Sequence, residues 1–129
     1  METPHKPAGH NSASPYLIVE GADATLGFLG AVFGAIPLYR VANEAGQVRH
    51  AEVRIDDSVL MVADAIPPAW PAVAAHVHVY VPDVDATYEK AIAAGASSVR
   101  VPSRRGDEDK RGGVRDAGGT TWWIATRAG

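Results

Sequence analysis

Apolar residues recur along the chain with two different periods, which together predict both helices and strands. The first predicted helix has an apolar face at positions i, i+4, i+7 and i+11, formed by Ala22, Leu26, Leu29 and Phe33. Gly34 stands where that helix is expected to end. A second helix is expected after Asp83, a residue type suited to capping a helix N-terminus. Its apolar face comprises Val84, Tyr88, Ala91 and Ile92.

The other apolar segments have a period of two, which is typical of strands with one apolar and one polar face. The clearest of them is 76–81, where the polar rings of His76, His78 and Tyr80 alternate with valines. In chain order, the predicted strands are 14–20, 36–41, 47–55, 58–63, 76–81, 97–101, 110–115 and 120–126. The order of elements is therefore strand, helix and three strands, repeated once.

The two halves of the chain also share sequence. Asp23-Ala24-Thr25 recurs as Asp85-Ala86-Thr87, an offset of 85 − 23 = 62, and the same offset aligns 58–63 with 120–125. A constant offset combined with a repeated order of elements predicts an internal duplication. We therefore expect an α+β fold in which two βαβββ modules form curved mixed sheets around a central cleft, with helices on the outside.

The boundaries of these units follow from the same pattern. Module one is expected at 14–64 and module two at 75–127, joined by a linker at 65–74 that is rich in proline. Residues 1–13 lack apolar periodicity and are expected to form a flexible tail. This interpretation places His5 and His10, which lie in the tail, outside any functional site.

The composition narrows the classes of function. The chain has 129 residues, a net charge of −3, 47% hydrophobic and 21% charged residues, which is typical of one soluble globular domain. Neither nucleic acid nor a membrane is an expected partner, because the charge is weakly negative and no apolar run reaches the ~18 residues of a membrane span. The absence of cysteine excludes disulfides and thiolate chemistry and is compatible with the cytoplasm, where we expect the protein.

Several short stretches resemble one known family. They are SPYLIVE (14–20), FGA (33–35), HAE (50–52), RGGVRD (111–116) and TWWI (121–124). Together with the paired modules, they resemble the vicinal oxygen chelate superfamily of glyoxalase I, bleomycin-resistance proteins and extradiol dioxygenases, in particular its PhnB-like subgroup. The resemblance implies a small-molecule ligand and a homodimer, whose clefts are formed either within one chain or between two.

The resemblance also implies where a metal would be bound, since each module supplies one ligand from its first strand and one from its last. Carried onto this sequence, those positions are Ser14, Met61, His76 and Trp123. Only His76 has suitable chemistry, because a hydroxyl and a thioether are weak ligands for hard or borderline ions and an indole offers no lone pair. No metal cofactor is therefore expected.

A relocated metal site is the alternative. His50, Glu52 and Arg54 alternate along one strand and share a face. If that face meets His76, then His76, His50 and Glu52 form the two-histidine, one-carboxylate set used for a divalent metal such as iron. Against this alternative, His50 and Glu52 can simply bond each other or a neighbouring backbone group, or face solvent.

Two functions follow from these residues. The first is a metal-independent binding protein of the drug-sequestering or resistance type, with an aromatic or polar ligand. Its expected ligand-binding residues are Met61, His76, His78, Trp123, His50 and Arg115. The second is a lyase, isomerase or dioxygenase, for which the catalytic candidates are His76, His78 and Glu52. Trp122, which points away from Trp123, is expected to pack beneath a helix or at an interface. Gly112-Gly113 are interpreted as turn or bulge residues.

Overall fold

Two βαβββ modules follow one another along the chain, as the repeat predicts. The structure is a computed structural model that describes residues 4–106 and 108–128. Module one comprises β1 (Tyr16–Val19), α1 (Ala22–Phe33), β2 (Ile36–Ala42), β3 (Val48–Ile55) and β4 (Ser58–Asp64). Module two comprises β5 (His76–Tyr80), α2 (Val84–Ala93), β6 (Ser97–Ser103), β7 (Lys110–Arg115) and β8 (Thr121–Thr126). No helix in this part of the chain is long and apolar enough to span a membrane.

Each module forms one mixed sheet of four strands, and the two sheets have the same topology. The strand orders are β1-β4-β3-β2 and β5-β8-β7-β6, with the first pair of each sheet parallel and the others antiparallel. The register of the strands repeats as well. Tyr16 pairs with Met61 in the first sheet, and the residues 62 positions later, His78 and Trp123, pair in the second sheet. The α+β class and the duplication are therefore confirmed.

The helices begin and end where the sequence predicts. The Asp83 side chain accepts a hydrogen bond from the Ala86 amide at 3.1 Å, which caps α2. Helix α1 begins differently, because the carboxylate of Asp64 on β4 accepts the hydrogen bond of the Ala22 amide at 2.8 Å. At its end, Gly34 adopts a left-handed φ of 65°, a conformation that glycine adopts at little cost.

One apolar core is shared by the two modules. Helix α1 packs against α2, and the ring of Phe33 on α1 lies 5.5 Å from the ring of Trp122 on β8. Trp122 is completely buried, which confirms the expectation that it packs under a helix. Each helix covers the apolar side of its own sheet and also packs against the other helix, so the apolar residues of the two modules form one core.

Candidate functional site

The polar face of the second sheet carries most of the residues that the sequence singles out. Paired residues of neighbouring strands point to the same side of a sheet, so the register defines three rows on this face. The rows are Tyr80, Ala125 and Arg111; His78, Trp123, Gly113 and Arg100; and His76, Thr121 and Arg115. We call this surface the module-two face. Cationic side chains and one tryptophan dominate it.

Trp123 lies across the centre of the module-two face. A Cβ atom built on Gly113 would stand 2.6 Å from Cζ3 of the Trp123 ring, so the ring rests directly on the glycine backbone. The indole Nε1 donates a hydrogen bond to Nδ1 of His76 at 3.1 Å, and the two rings are parallel within 8°. Since indole only donates, His76 accepts through Nδ1 and keeps its Nε2 for other partners.

A charged network borders Trp123 on one side. Arg111 Nε donates to His78 Nε2 at 3.2 Å, and Tyr80 donates its hydroxyl to Asp109 at 2.7 Å. Partial burial, assisted by the Arg111 guanidinium, lowers the pKa of His78. The carboxylate of Asp109 raises the pKa of Tyr80 because it accepts a hydrogen bond from the phenolic hydroxyl. The network therefore favours a neutral imidazole and a protonated phenol.

The polar face of the first sheet, the module-one face, carries a different set of residues. Tyr16 Oη lies 2.9 Å from His50 Nδ1, and His50 Nε2 lies 2.8 Å from Glu52 Oε2. The other carboxylate oxygen of Glu52 lies 2.6 Å from Nε2 of His10. These hydrogen bonds, from His10 first and then from His50, lower the pKa of Glu52.

The contact of His10 with Glu52 differs from the sequence interpretation, which placed His10 in a tail outside the site. Residues near His10 also lie on module one, since the Asn11 side chain accepts a hydrogen bond from the Val59 amide at 3.0 Å. No periodic pattern in the first residues indicates this contact, because it joins residues that are 42 positions apart. Tyr16 was also missed, although the offset of 62 that relates it to His78 could have identified it.

The predicted ligand-binding residues fall on the two faces as follows. His76, His78, Trp123 and Arg115 lie on the module-two face, whereas Met61, His50 and Glu52 lie on the module-one face. A groove of about 390 Å³ lies at the junction of the modules and is lined in part by Leu60, His78 and Tyr80. Met61 and Trp123 do not line this groove. Of the predicted ligand-binding residues, His78 is the one that lines this groove.

The relocated metal site is not assembled in one chain. His76 is bonded to Trp123 in module two, while His50 and Glu52 are bonded to each other in module one. Within residues 4–106 and 108–128, no group of three or more His, Cys, Asp or Glu side chains is placed to hold a metal ion. The four positions implied by the resemblance also fit a metal poorly, because Ser14, Met61 and Trp123 are weak donors or none.

The glycines of β7 correct part of another interpretation. Gly112 and Gly113 lie within β7 and not in a turn, paired with Ile124 and Trp123 of β8, while their pairing with β6 is irregular between Arg100 and Ser103. Side chains fill the space above them. A Cβ on Gly112 would stand 3.0 Å from Cγ of Pro102, while Trp123 occupies the space above Gly113. The glycine pair is therefore required by packing on both sides of the strand.

Comparison with known families identifies the chain. Two curved mixed sheets built from paired βαβββ modules define the class of fold, and the sequence profile described as "Glyoxalase/Bleomycin resistance protein/Dioxygenase superfamily" matches residues 10–124. The chain belongs to this superfamily. An uncharacterized protein of Mycobacterium bovis is 30% identical over 121 residues, which cover 86% of this chain and 80% of the relative. An uncharacterized protein of Mycobacterium tuberculosis has the same identity, with 71% of its length covered.

Solved structures support the fold. TioX from Micromonospora sp. ML1 superposes with a TM-score of 0.70 at 24% identity, covering 90% of this chain and 99% of TioX. The fosfomycin resistance protein FosX from Mesorhizobium loti gives a TM-score of 0.67 at 19% identity, covering 90% and 91%. FosX from Listeria monocytogenes, crystallised with Mn(II) and sulfate, gives 0.70 at 16% identity, covering 92% and 90%. At these identities the similarity concerns the fold.

Proposed function

We propose that this protein binds a planar, partly aromatic small molecule on the module-two face, and that binding does not require a metal. The observation that supports the proposal is the position of Trp123, whose partly exposed ring rests on Gly113 and is held in place by His76. A fixed aromatic ring of this kind offers a stacking surface at little cost in side-chain entropy. His76 adds a hydrogen-bonding nitrogen at the edge of the same surface.

The charges around Trp123 indicate the kind of ligand. Arg111 and Arg115 lie on the same face of β7 as Gly113, on either side of Trp123's row. Guanidinium groups bind carboxylates and phosphates through paired hydrogen bonds. We therefore expect the preferred ligand to combine an aromatic ring with a negative group.

The donor chemistry supports binding without a metal. FosX of Listeria monocytogenes was crystallised with Mn(II), but this chain has Ser14, Met61 and Trp123 at three of the positions where the resemblance implies ligands. The named fosfomycin resistance of FosX supports a small-molecule role in resistance or sequestration for this chain. Membership of the PhnB-like subgroup is part of the proposal and is supported only by the sequence stretches quoted above.

We further propose that a second copy of the chain completes the cleft. Both faces carry exposed side chains in one chain, such as Tyr16 on the module-one face and Tyr80 on the module-two face. In a symmetric dimer, the module-two face of one chain can lie opposite the module-one face of its partner. The arginines would then oppose a surface that carries Glu52, and Met61 would lie across the cleft from Trp123.

Tryptophan fluorescence with three probes tests the ligand proposal. We expect 1-naphthoate and naphthyl phosphate to quench the emission of the protein, and the uncharged 1-naphthamide to bind more weakly. Trp123→Phe should weaken binding by roughly tenfold, the upper part of the range for an aromatic contact. Trp70→Phe, which removes an exposed tryptophan from the linker, serves as the matched control.

The same titrations can contradict the proposal. Equal affinities of the wild type and Trp123→Phe, measured by calorimetry, would show that Trp123 is not the binding surface. Loss of binding after treatment with a chelator, with recovery on addition of a divalent metal, would instead establish a metal-dependent protein.

A further inference from the structure

The module-one face contains a hydrogen-bonded line of three side chains that is separate from the proposed stacking surface of Trp123. The line runs from the Tyr16 hydroxyl to His50 at 2.9 Å and from His50 to Glu52 at 2.8 Å. His50 and Glu52 share one face of β3, and Tyr16 on β1 reaches His50 across β4, from the row that contains Met61 and Glu52. The order is hydroxyl, imidazole and carboxylate.

The donors and acceptors in this line follow from its chemistry. An ionised carboxylate only accepts hydrogen bonds, so Nε2 of His50 carries the proton and donates to Glu52. Nδ1 of the neutral ring then has a lone pair and accepts the proton of Tyr16. In nucleophilic enzymes, a hydroxyl is activated by an imidazole that a carboxylate holds in the required tautomer.

The exposure of the three side chains decreases along the line, from the hydroxyl end to the carboxylate end. An exposed hydroxyl and a covered carboxylate suit a reactive group. The Tyr16 side is open, with 44% of the residue exposed. The side chain of Glu52 is only 16% exposed, and that of His10, which donates to its second oxygen, is 18% exposed. His10 thus covers the supporting end of the line and keeps the carboxylate ionised by lowering the pKa of Glu52.

We propose that Tyr16 is the nucleophile of a metal-free acyl-transfer site, with His50 as its base and Glu52 as the positioning residue. The substrate class is an activated carbonyl compound such as an ester. Tyr16 Oη attacks the carbonyl carbon and its proton moves to Nδ1 of His50. The bond to the leaving group then breaks, and the leaving group departs with the electron pair and takes up a proton from His50 or from water. This proposal does not depend on ligand binding at Trp123.

Other tyrosines of the chain provide internal controls. Tyr39 is 54% exposed and its ring centroid lies 6.0 Å from that of His50, but Tyr16 is the tyrosine that bonds His50 Nδ1. Tyr80 is 61% exposed, but its hydroxyl donates a hydrogen bond to Asp109, and that carboxylate raises the pKa of Tyr80. Exposure alone therefore predicts that Tyr39 and Tyr80 react at least as fast as Tyr16, whereas the proposed site predicts the reverse order.

The test uses p-nitrophenyl acetate and the full-length protein. Release of p-nitrophenolate is followed by stopped flow, and peptide mass spectrometry locates the acetyl group at successive times. We expect Tyr16 to be acetylated at least tenfold faster than Tyr39 and Tyr80. Tyr16→Phe should remove the fast phase, and His50→Gln should reduce acetylation of Tyr16 to the rate of Tyr39.

Three further measurements separate a positioning role from a structural one. Glu52→Gln should lower the rate of Tyr16 acetylation and Glu52→Asp should restore part of it, while both variants unfold at similar temperatures. The rate for wild-type Tyr16 should reach a plateau with rising pH, as expected for a general base. Two results would overturn the proposal. One is that Tyr16 is acetylated no faster than Tyr39, and the other is that the rate of Tyr16 acetylation is unchanged in His50→Gln.

Discussion

Adjacent residues on β8 show how strand geometry separates structure from function. Trp122 and Trp123 follow each other in sequence, but successive side chains of a strand point to opposite faces. Trp122 is buried against Phe33, and its Nε1 donates to the buried carboxylate of Asp116 at 2.8 Å. Trp123 lies on the module-two face. One of these indoles therefore stabilises the core, and the other is partly exposed on the face where we propose that a ligand binds.

Gly113 is the residue whose substitution should affect Trp123 most directly. In Gly113→Ala, the new methyl group would stand 2.6 Å from Cζ3 of the indole, so the ring has to leave its position. Crowding of this kind costs about 1–3 kcal/mol. We expect a lower free energy of unfolding in urea and an altered near-ultraviolet circular dichroism signal from tryptophan.

Gly27→Ala is the matched control for this prediction. Gly27 lies on α1, and a Cβ atom at that position would meet nothing within 4 Å. Alanine in a helix interior is more favourable than glycine by roughly 0.5–1 kcal/mol, so this variant should be slightly more stable. Equal unfolding free energies for the two variants would show that the ring of Trp123 does not rest on Gly113.

At the scale of elements, the sequence alone was sufficient to predict a helix or strand wherever a single periodic pattern determines that element. Helix α1, for example, begins at Ala22 and ends before Gly34, as its apolar period and the glycine indicate. The pattern was insufficient where distant segments decide the role of a residue. Gly112 and Gly113 look like turn formers until Pro102 and Trp123 are placed above them. His10 carries no periodic signal, so only the folded chain shows its contact with Glu52.

The contact of His10 with Glu52 predicts that the N-terminal segment is held in a pH-dependent manner. The pKa of Glu52 is lowered from its ordinary value of 4.5 in the folded chain by His10 and His50. A carboxylate with a lowered pKa stabilises the contact fully at pH values above its ordinary pKa. This stabilisation is lost as the pH falls through the lowered pKa of the folded chain. The amide NMR signals of residues 8–12 should therefore remain those of the docked segment at pH values above 4.5 and shift toward random-coil positions only below it.

Two variants check this interpretation of the segment. Glu52→Gln should give random-coil shifts for the segment at neutral pH, because the amide lacks the charge that His10 and His50 stabilise. Glu44→Gln, in the exposed turn between β2 and β3, should leave the wild-type behaviour unchanged. Docked signals in Glu52→Gln, or wild-type signals that do not respond to acid, would contradict the prediction.

At the scale of the whole molecule, one core is shared by the two modules while the polar faces of both sheets stay partly exposed. Helices α1 and α2 pack against each other, and each covers the apolar side of its own sheet. The exposed large apolar residues include Tyr16 on the module-one face and Tyr80 on the module-two face. A protein that uses such faces for a small ligand needs a second surface to enclose it.

The absence of cysteine makes the proposed dimer directly testable by crosslinking. We expect light scattering to show a dimer. We also expect a short bismaleimide to crosslink Met61→Cys chains to Trp123→Cys chains when the two are mixed, because these positions would face each other across the cleft. As a control, Asp57→Cys replaces Met61→Cys, since Asp57 lies in the exposed turn between β3 and β4. If the cleft is formed between two copies, a chain carrying both Met61→Cys and Trp123→Cys should form no internal link at high dilution. A monomer in solution, or an efficient link within that single chain, would show that the cleft is not formed between two copies.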